Sequence, residues 1–160
     1  MPQVNEGALV AVIMGSKADS DMLKPTLQAL DGLGIDYEVK VISAHRTPEQ
    51  AREFGLNAQK RCLEVIIAAA GRAAHLPGVL ASWTTLPIIG IPLAKDELGG
   101  TDALYSIVQM PAGVPVACMA VGSAGPKNAA YFAAAILSLK YEQIRKAYQQ
   151  YRKELQGEGK

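Results

Sequence analysis

Leu63-Glu64-Val65-Ile66-Ile67-Ala68-Ala69-Ala70 is a nearly unbroken apolar run that stops at a glycine. A strand with one face in water alternates apolar and polar residues, whereas an unbroken run indicates a strand that is buried on both faces. Similar runs recur along the chain, and stretches of helical character separate them. This order is typical of βαβ units around a parallel sheet. It predicts strands at 8–14, 37–42, 63–70, 88–91 and 114–121, and helices at 19–33, 48–61, 73–82, 101–109 and 127–151.

Five strands and five helices in this order predict a flavodoxin-like three-layer α/β/α sandwich, with a five-stranded parallel sheet and an extended C-terminal helix. A chain of 160 residues is long enough for a full core, so we expect residues 1–160 to form a single domain. In such sheets ligands bind beyond the carboxyl ends of the strands, near the point where the strand order reverses. The loops after the first three strands are therefore the expected place for a functional site.

The charge balance argues against nucleic acid or a membrane surface as a partner. The chain has 16 basic and 15 acidic side chains, and no basic run is interleaved with aromatic residues. Its N-terminal segment lacks a basic region, and the apolar run that follows is too short for a signal peptide or a membrane span. We therefore expect a small-molecule partner and a cytoplasmic location.

The two cysteines, Cys62 and Cys118, fit the same location. They lie far apart in apolar stretches and lack the CxxC spacing of a redox or zinc site. We expect both to be reduced core residues, with no metal bound.

Both histidines of the chain lie in two of these loops, within Ser43-Ala44-His45-Arg46-Thr47-Pro48 and Gly71-Arg72-Ala73-Ala74-His75-Leu76-Pro77-Gly78. Imidazole is the side chain that both gives and takes a proton near neutral pH. A lone histidine in a turn is more often an ordinary surface residue. Two imidazoles at two strand ends favour a role in proton transfer.

The loop after the second strand has the features of a helix start. Thr47 fits the N-cap, the following proline fits the first helical position, and Gln50 would close a capping box. Ser43, His45 and Arg46 then lie above the positive end of the helix. A hydroxyl and a guanidinium in that place form a phosphate clamp, with an imidazole beside it. The alternative is that the guanidinium only pairs with a surface carboxylate.

The loops after the first and third strands carry weaker signals. Ser16 can cap the first helix, and Asp19 can accept hydrogen bonds from ribose hydroxyls, although capping alone would explain both residues. The loop is neither a Walker A motif nor a dinucleotide fingerprint. Small residues across 68–78 let backbone amides approach a ligand, or simply form a tight turn under a helix.

Four motifs follow one another along the chain: VIMGSK at 12–17, SAHRTP at 43–48, AAHLPG at 73–78, and YSIVQMP at 105–111 followed by GVPV at 113–116. In this order they resemble the N5-carboxyaminoimidazole ribonucleotide mutases, the class I enzymes of purine biosynthesis. The similarity spans about residues 9 to 140. It implies an isomerisation of an aminoimidazole ribonucleotide without a cofactor, in which a carbamate is lost as carbon dioxide and recaptured at ring carbon 4.

The resemblance also implies a role for individual residues and an octameric assembly. His45 would transfer the proton. Ser16, Ser43 and Arg46 would surround the phosphate, Asp19 would contact the ribose, and the loop 70–76 would enclose the migrating carboxyl group. His75 would contact the substrate, or stabilise the loop or a neighbouring subunit. The implied substrate-binding residues are Ser16, Asp19, Ser43, Arg46, Ala70, Gly71, Ala73, His75 and Leu76, with no residue binding a cofactor or a metal.

Two positions depart from the family pattern. Ala18 stands where a serine commonly helps to hold the phosphate. Arg72 stands where class I enzymes usually have glycine, and an arginine there resembles the class II carboxylases, which take up free carbon dioxide directly. We expect this arginine to point outward, because burying an unpaired guanidinium in a crowded turn is costly. Direct carboxylation and a non-catalytic nucleotide-binding module remain the alternatives.

The C-terminal segment predicts a subunit interface, because apolar residues recur at spacings of three and four on an otherwise charged helix. The alternative is that this stripe folds back on its own domain. Alanines at 129–130 and 133–135 would let helices approach closely. The stripe consists of Tyr141, Ile144, Tyr148, Tyr151 and Leu155.

Overall fold

The computed structural model describes residues 7–157 and contains the predicted α/β architecture. Five parallel strands lie in the order β2-β1-β3-β4-β5, so the strand order reverses between β1 and β3. The strands are β1 Val10–Met14, β2 Tyr37–Val41, β3 Val65–Gly71, β4 Ile88–Leu93 and β5 Ala117–Cys118. The helices are α1 Ser20–Gly32, α2 Pro48–Ala58, α3 Leu76–Trp83, α4 Thr101–Val108, α5 Ala124–Leu137 and α6 Glu142–Gly157.

Two separate cores form because both faces of the sheet are covered. In β1, Val10, Val12 and Met14 pack into the core beneath α1, α5 and α6. The alternate residues Ala11 and Ile13 pack into the core beneath α2, α3 and α4. Successive side chains of a strand point to opposite faces, so an unbroken apolar strand fills both cores at once. The three-layer prediction is confirmed.

The fifth strand is much shorter than predicted. The apolar pattern predicts a strand over 114–121, but only Ala117–Cys118 pairs with β4. β5 lies at the edge of the sheet, and Pro115 has no N–H group to donate to a ladder. The paired register covers these two residues, and one further bond runs from the Met119 N–H to the Gly90 carbonyl at 2.9 Å.

The predicted continuous helix over 127–151 is wrong, because the chain turns at residues 138–141 and forms two helices. Lys140 Nζ and Tyr141 Oη both donate to Glu64 Oε1, at 2.5 Å each, and so attach the turn to the start of β3. The four residues of the turn include no glycine or proline, so nothing in the local pattern marks the break. The turn lets α6 fold back over the core.

The stripe on the C-terminal helix covers its own domain, as the alternative proposed. Ile144 is 2% exposed within the core under α5 and α6. Tyr148 and Tyr151 stack on Tyr131, with ring centroids 6.1 and 4.2 Å away. Burial, together with the neighbouring Tyr151 hydroxyl, raises the pKa of Tyr131 to about 12. Leu155 is the one exposed member of the stripe, so the stripe itself no longer supports a subunit interface.

The cysteine prediction is wrong for one of the two thiols. Both cysteines are free, but Cys62 is exposed where the short 3₁₀ helix Gln59–Arg61 ends, with φ at 65°. Cys118 is half-buried, and burial raises the pKa of its thiol. Within residues 7–157, no helix is both long enough and apolar enough to cross a membrane.

Candidate active site

A cavity of about 600 Å³ opens at the carboxyl ends of the strands, where the sequence places the site. The loops after β1, β2 and β3 line it as predicted, and the loop after β4 forms a fourth wall. A larger cavity of about 770 Å³ lies at the opposite ends of β4 and β5, but its described lining includes no ionisable side chain. An imidazole and a guanidinium, which can move a proton and hold an anionic ligand, line the smaller cavity.

The turn that presents His45 is closed by its own hydrogen bonds. Thr47 precedes α2, and Pro48 is the first residue of that helix, as predicted. The Thr47 hydroxyl does not cap the helix: it accepts from the Ser43 N–H and donates to the Ser43 carbonyl, both at 3.0 Å. The predicted capping box is therefore wrong, because Thr47 closes the preceding turn instead. That turn fixes the backbone on both sides of His45.

Arg46 joins the loops after β1 and β2. Its N–H and Nε donate to Ser43 Oγ at 3.2 and 3.3 Å, and its Nη2 donates to the Gly15 carbonyl at 3.0 Å. The guanidinium therefore has hydroxyl and carbonyl partners rather than the surface carboxylate of the alternative. Ser16 Oγ accepts from the Ala18 N–H at 3.3 Å, beside the same guanidinium-bound carbonyl. Two hydroxyls and a positive charge thus lie on one wall.

The two histidines contact each other across the cavity edge. His45 Nε2 and His75 Nδ1 are 2.7 Å apart, and the rings meet edge to face with centroids 4.8 Å apart. One imidazole must donate its N–H to the other, so the pair shares a proton between two loops. His75 is the N-cap of α3, which begins at Leu76. The predicted start at 73 is wrong, because Ala73 to His75 form tight turns closed by backbone bonds of 2.8 Å.

An ion pair between Lys95 and Asp19 also lines the cavity. Asp19 is only 2% exposed at the end of the 3₁₀ turn Lys17–Asp19, and Lys95 Nζ donates to its Oδ1. Sequence reasoning did not include Lys95 in the site. The available signal was its position two residues beyond the end of β4, at the same edge of the sheet as the other loops.

A second ion pair lies at the rim. Arg72 Nε donates to Asp96 Oδ2, and the Arg72 side chain is 72% exposed, so the expected outward orientation is confirmed. The Arg72 hydrogen bond lowers the pKa of the Asp96 carboxyl. Both residues adopt left-handed backbone conformations, with φ of 56° and 62°, where glycine is favoured. The rim is therefore built from two turns held together by charge.

The cavity brings together all the predicted site residues except His75, which reaches it through His45. Ala70 and Leu76 are buried walls, and Gly71 and Ala73 form the turn between them. Among residues 7–157, no three His, Cys, Asp or Glu side chains are placed to hold a metal ion. The predicted residues that line the cavity are Ser16, Asp19, Ser43, His45, Arg46, Ala70, Gly71, Ala73 and Leu76.

Comparison with known proteins places this geometry in a family. The sequence model of AIR carboxylase matches residues 9–158. This chain belongs to the AIR carboxylase family. A relative from Pseudomonas aeruginosa named N5-carboxyaminoimidazole ribonucleotide mutase is 56% identical over 91% of this chain and 89% of its own length. A mutase of the same name from Pyrococcus horikoshii is 49% identical over 94% and 84%.

The family also matches in three dimensions. A crystal structure of Treponema denticola PurE superimposes with a TM-score of 0.82 at 29% identity, covering 93% of this chain and 92% of that one. The similarity therefore extends over nearly the whole length of both chains.

Proposed function

We propose that this chain is an N5-carboxyaminoimidazole ribonucleotide mutase of purine biosynthesis. The observation that carries the proposal is 56% identity, over 91% of the chain, to a protein of that name. The cavity supplies the groups that the reaction needs. An imidazole, a guanidinium, two hydroxyls and a buried carboxylate line one cavity of about 600 Å³.

The proposed reaction moves one carboxyl group and returns one proton. The exocyclic nitrogen of the carbamate takes a proton from His45, the nitrogen–carbon bond breaks, and carbon dioxide is released into the cavity. Ring carbon 4 then attacks the carbon dioxide, and His45 removes the proton from that carbon. Atoms and charge balance without an oxidant, a reductant or a cofactor. The rate advantage comes from holding carbon dioxide beside the ring in a confined space.

His75 is proposed to orient the proton carrier. Its Nδ1 lies 2.7 Å from His45 Nε2, so each ring restrains the tautomer and the direction of the other. Thr47 and Ser43 hold the backbone turn beneath His45 through their mutual hydrogen bonds. An imidazole that is fixed in this way can donate a proton to the exocyclic nitrogen and later remove one from ring carbon 4 without changing its position.

The substrate contacts follow the two walls. Ser16, Ser43 and Arg46 are proposed to bind the phosphate, where a guanidinium and hydroxyls suit a dianion. Asp19 is proposed to accept hydrogen bonds from the ribose. The small and apolar residues between the walls confine the carboxyl group: Ala70, Gly71, Ala73 and Leu76.

Turnover without added bicarbonate tests the proposal. Purified chain in carbon-dioxide-depleted buffer should convert N5-carboxyaminoimidazole ribonucleotide to 4-carboxy-5-aminoimidazole ribonucleotide, followed by absorbance of the product. Conversion of aminoimidazole ribonucleotide that requires bicarbonate would indicate direct carboxylation instead. Tight ribonucleotide binding without turnover of either substrate would indicate a binding module.

We also propose that the chain works in the cytoplasm as a homo-octamer, as the family resemblance implies. The apolar cavity of about 770 Å³ supports an interface between copies, because Leu56, Trp83 and Phe132 line it and are exposed in the single chain. Phe132→Asp should lower the mass measured by light scattering. Leu155→Asp, on the exposed end of α6, is the matched control. Loss of assembly only in the control would place the interface on α6.

A further inference from the structure

The ion pair between Lys95 and Asp19 lies inside the cavity, but the proposed reaction gives Lys95 no role. The two residues are 76 positions apart and come from loops at different strands, so only the fold brings them together. Asp19 is buried, and the side chain of Lys95 is 27% exposed. Lys95 is the one lysine among the described residues that line this cavity.

The pair determines how Asp19 can meet a ligand. A buried carboxylate without a partner is costly, and the Lys95 ammonium group supplies that partner. Lys95 contacts Oδ1, and a carboxylate has a second oxygen with its own lone pairs. Asp19 lines the cavity, so that second oxygen is the acceptor available to a hydroxyl in the cavity.

The path of the lysine stem is also built into the fold. Lys95 crosses the end of β3 at Gly71, where an added Cβ would lie 2.8 Å from Lys95 Cδ and 3.3 Å from the Leu93 carbonyl oxygen. Glycine at this position leaves the strand end bare, so the stem lies flat against it. The ammonium group therefore reaches Asp19 along a defined route.

We propose that Lys95 is a positioning residue that sets a preference for ribose over deoxyribose, by holding one oxygen of the Asp19 carboxylate so that the other is oriented toward the sugar hydroxyls. This proposal rests on the proposed function, which supplies a ribonucleotide as the ligand. A site built to hydrogen-bond a hydroxyl rejects an analogue that lacks it, because the buried acceptor is then left unpaired. Lys95 acts through Asp19, and it needs no contact with the reacting carbon atoms.

The test compares two ligands on matched variants by titration calorimetry. The probes are 4-carboxy-5-aminoimidazole ribonucleotide and its 2′,3′-dideoxyribose form. The wild-type chain should prefer the ribose form by at least ~100-fold, below the upper range of such discrimination. Lys95→Met keeps an unbranched stem but removes the charge, and it should reduce the preference to less than about tenfold by weakening the ribose form.

A double variant separates action through Asp19 from a general charge effect. Asp19→Asn should reduce the preference as Lys95→Met does, and Asp19→Asn combined with Lys95→Met should reduce it no further. Lys140→Met is the control, because it breaks an ion pair with Glu64 outside the cavity. It should leave the preference unchanged. If Lys95→Met does not fold, the double variant is compared with Asp19→Asn alone, since it leaves no unpaired buried charge.

Several results would overturn the proposal. Equal weakening of both ligands by Lys95→Met would show an effect on the phosphate or the carboxylate rather than on the sugar. A further loss of preference in the double variant would show that Lys95 acts independently of Asp19. A wild-type chain that turns over the carbamate but binds both ligands equally overturns this proposal alone. Ribose preference that depends on Lys95, without turnover, overturns the mutase proposal alone.

Discussion

The two halves of the cavity are held together in different ways. The loops after β1 and β2 are joined by hydrogen bonds of hydroxyl, carbonyl and guanidinium groups within a short stretch around Ser43 to Thr47, together with the bond from Arg46 to Gly15. The loops after β3 and β4 are joined by charge, through the Arg72 pair with Asp96 at the rim, and the Lys95 pair with Asp19 joins the loop after β4 to the loop after β1.

The difference separates a fixed half from an adjustable half. Local hydrogen bonds around one turn hold His45 and Arg46 in place before any ligand arrives. An exposed ion pair such as that at the rim is worth little, because water and salt screen it. Substitutions in the loops after β1 and β2 should therefore lower the turnover rate or the affinity for the phosphate. Substitutions at the rim should change both quantities little.

The largest effect is expected at the proton carrier. His45→Asn should reduce turnover of the carbamate substrate by at least ~100-fold, the lower range of what a positioned acid–base group supplies. Product affinity should remain, because the phosphate wall is untouched. Steady-state kinetics and calorimetry measure the two quantities. His75→Asn is the comparison variant and should cost less, because an amide can still hydrogen-bond His45. Turnover near the wild-type rate in His45→Asn would remove it from the mechanism.

Substitution of a proposed phosphate-binding residue should lower the affinity for the substrate rather than the turnover rate. Arg46→Ala removes a charge-assisted contact worth about 1.5–3 kcal/mol, and so should weaken substrate binding by roughly 10- to 100-fold. The phosphate does not react, so kcat should change little. Arg52→Ala is a matched control on α2, the helix that follows Arg46, where the guanidinium lies over Trp83 outside the cavity. A fall in kcat with unchanged affinity would contradict the phosphate assignment.

A smaller effect is expected at the rim. Arg72→Gly should change the carbamate-dependent rate by less than about tenfold, or ~1.4 kcal/mol in barrier, because the guanidinium is exposed and already paired with Asp96. Glycine also suits the left-handed backbone at this position. Assays with the carbamate and with bicarbonate measure both activities. Carboxylation with bicarbonate that is fast in the wild type and lost in the variant would indicate class II chemistry.

The smallest effect is the acid dependence of the rim pair. Arg72 lowers the pKa of Asp96 below its usual 3.8, so the pair stabilises the folded state above that pH. The contribution is lost as pH falls through the lowered pKa, when the folded carboxyl takes up its proton. The difference in Tm between the wild type and Arg72→Gly should therefore be constant from pH 7 to 5 and change below about pH 4. A difference independent of pH down to 2 would mean that the pair contributes nothing.

The same contrast explains what the sequence could predict. Ser43, His45 and Arg46 are close in the chain, so their common wall could be inferred from a strand end and a helix start. Local pattern also located four of the five strands to within about two residues. These features depend on neighbours within one turn of the backbone.

The features that were missed depend on residues far apart in the chain. Lys95 lies next to Asp19 because β4 pairs with β3 and β3 pairs with β1. The break at residues 138–141 depends on Glu64, which receives both Lys140 and Tyr141. No local period or breaker residue encodes such contacts, so tertiary structure was needed to reveal them.

The contact between the two imidazoles makes the histidines spectroscopic reporters. The chain has two histidines in all, and they are hydrogen-bonded to each other at the cavity. Selective isotope labelling of histidine would therefore give nuclear magnetic resonance signals from the proton carrier and its partner, with no background from other imidazoles. Protonation and tautomer could be followed directly as a ligand is added.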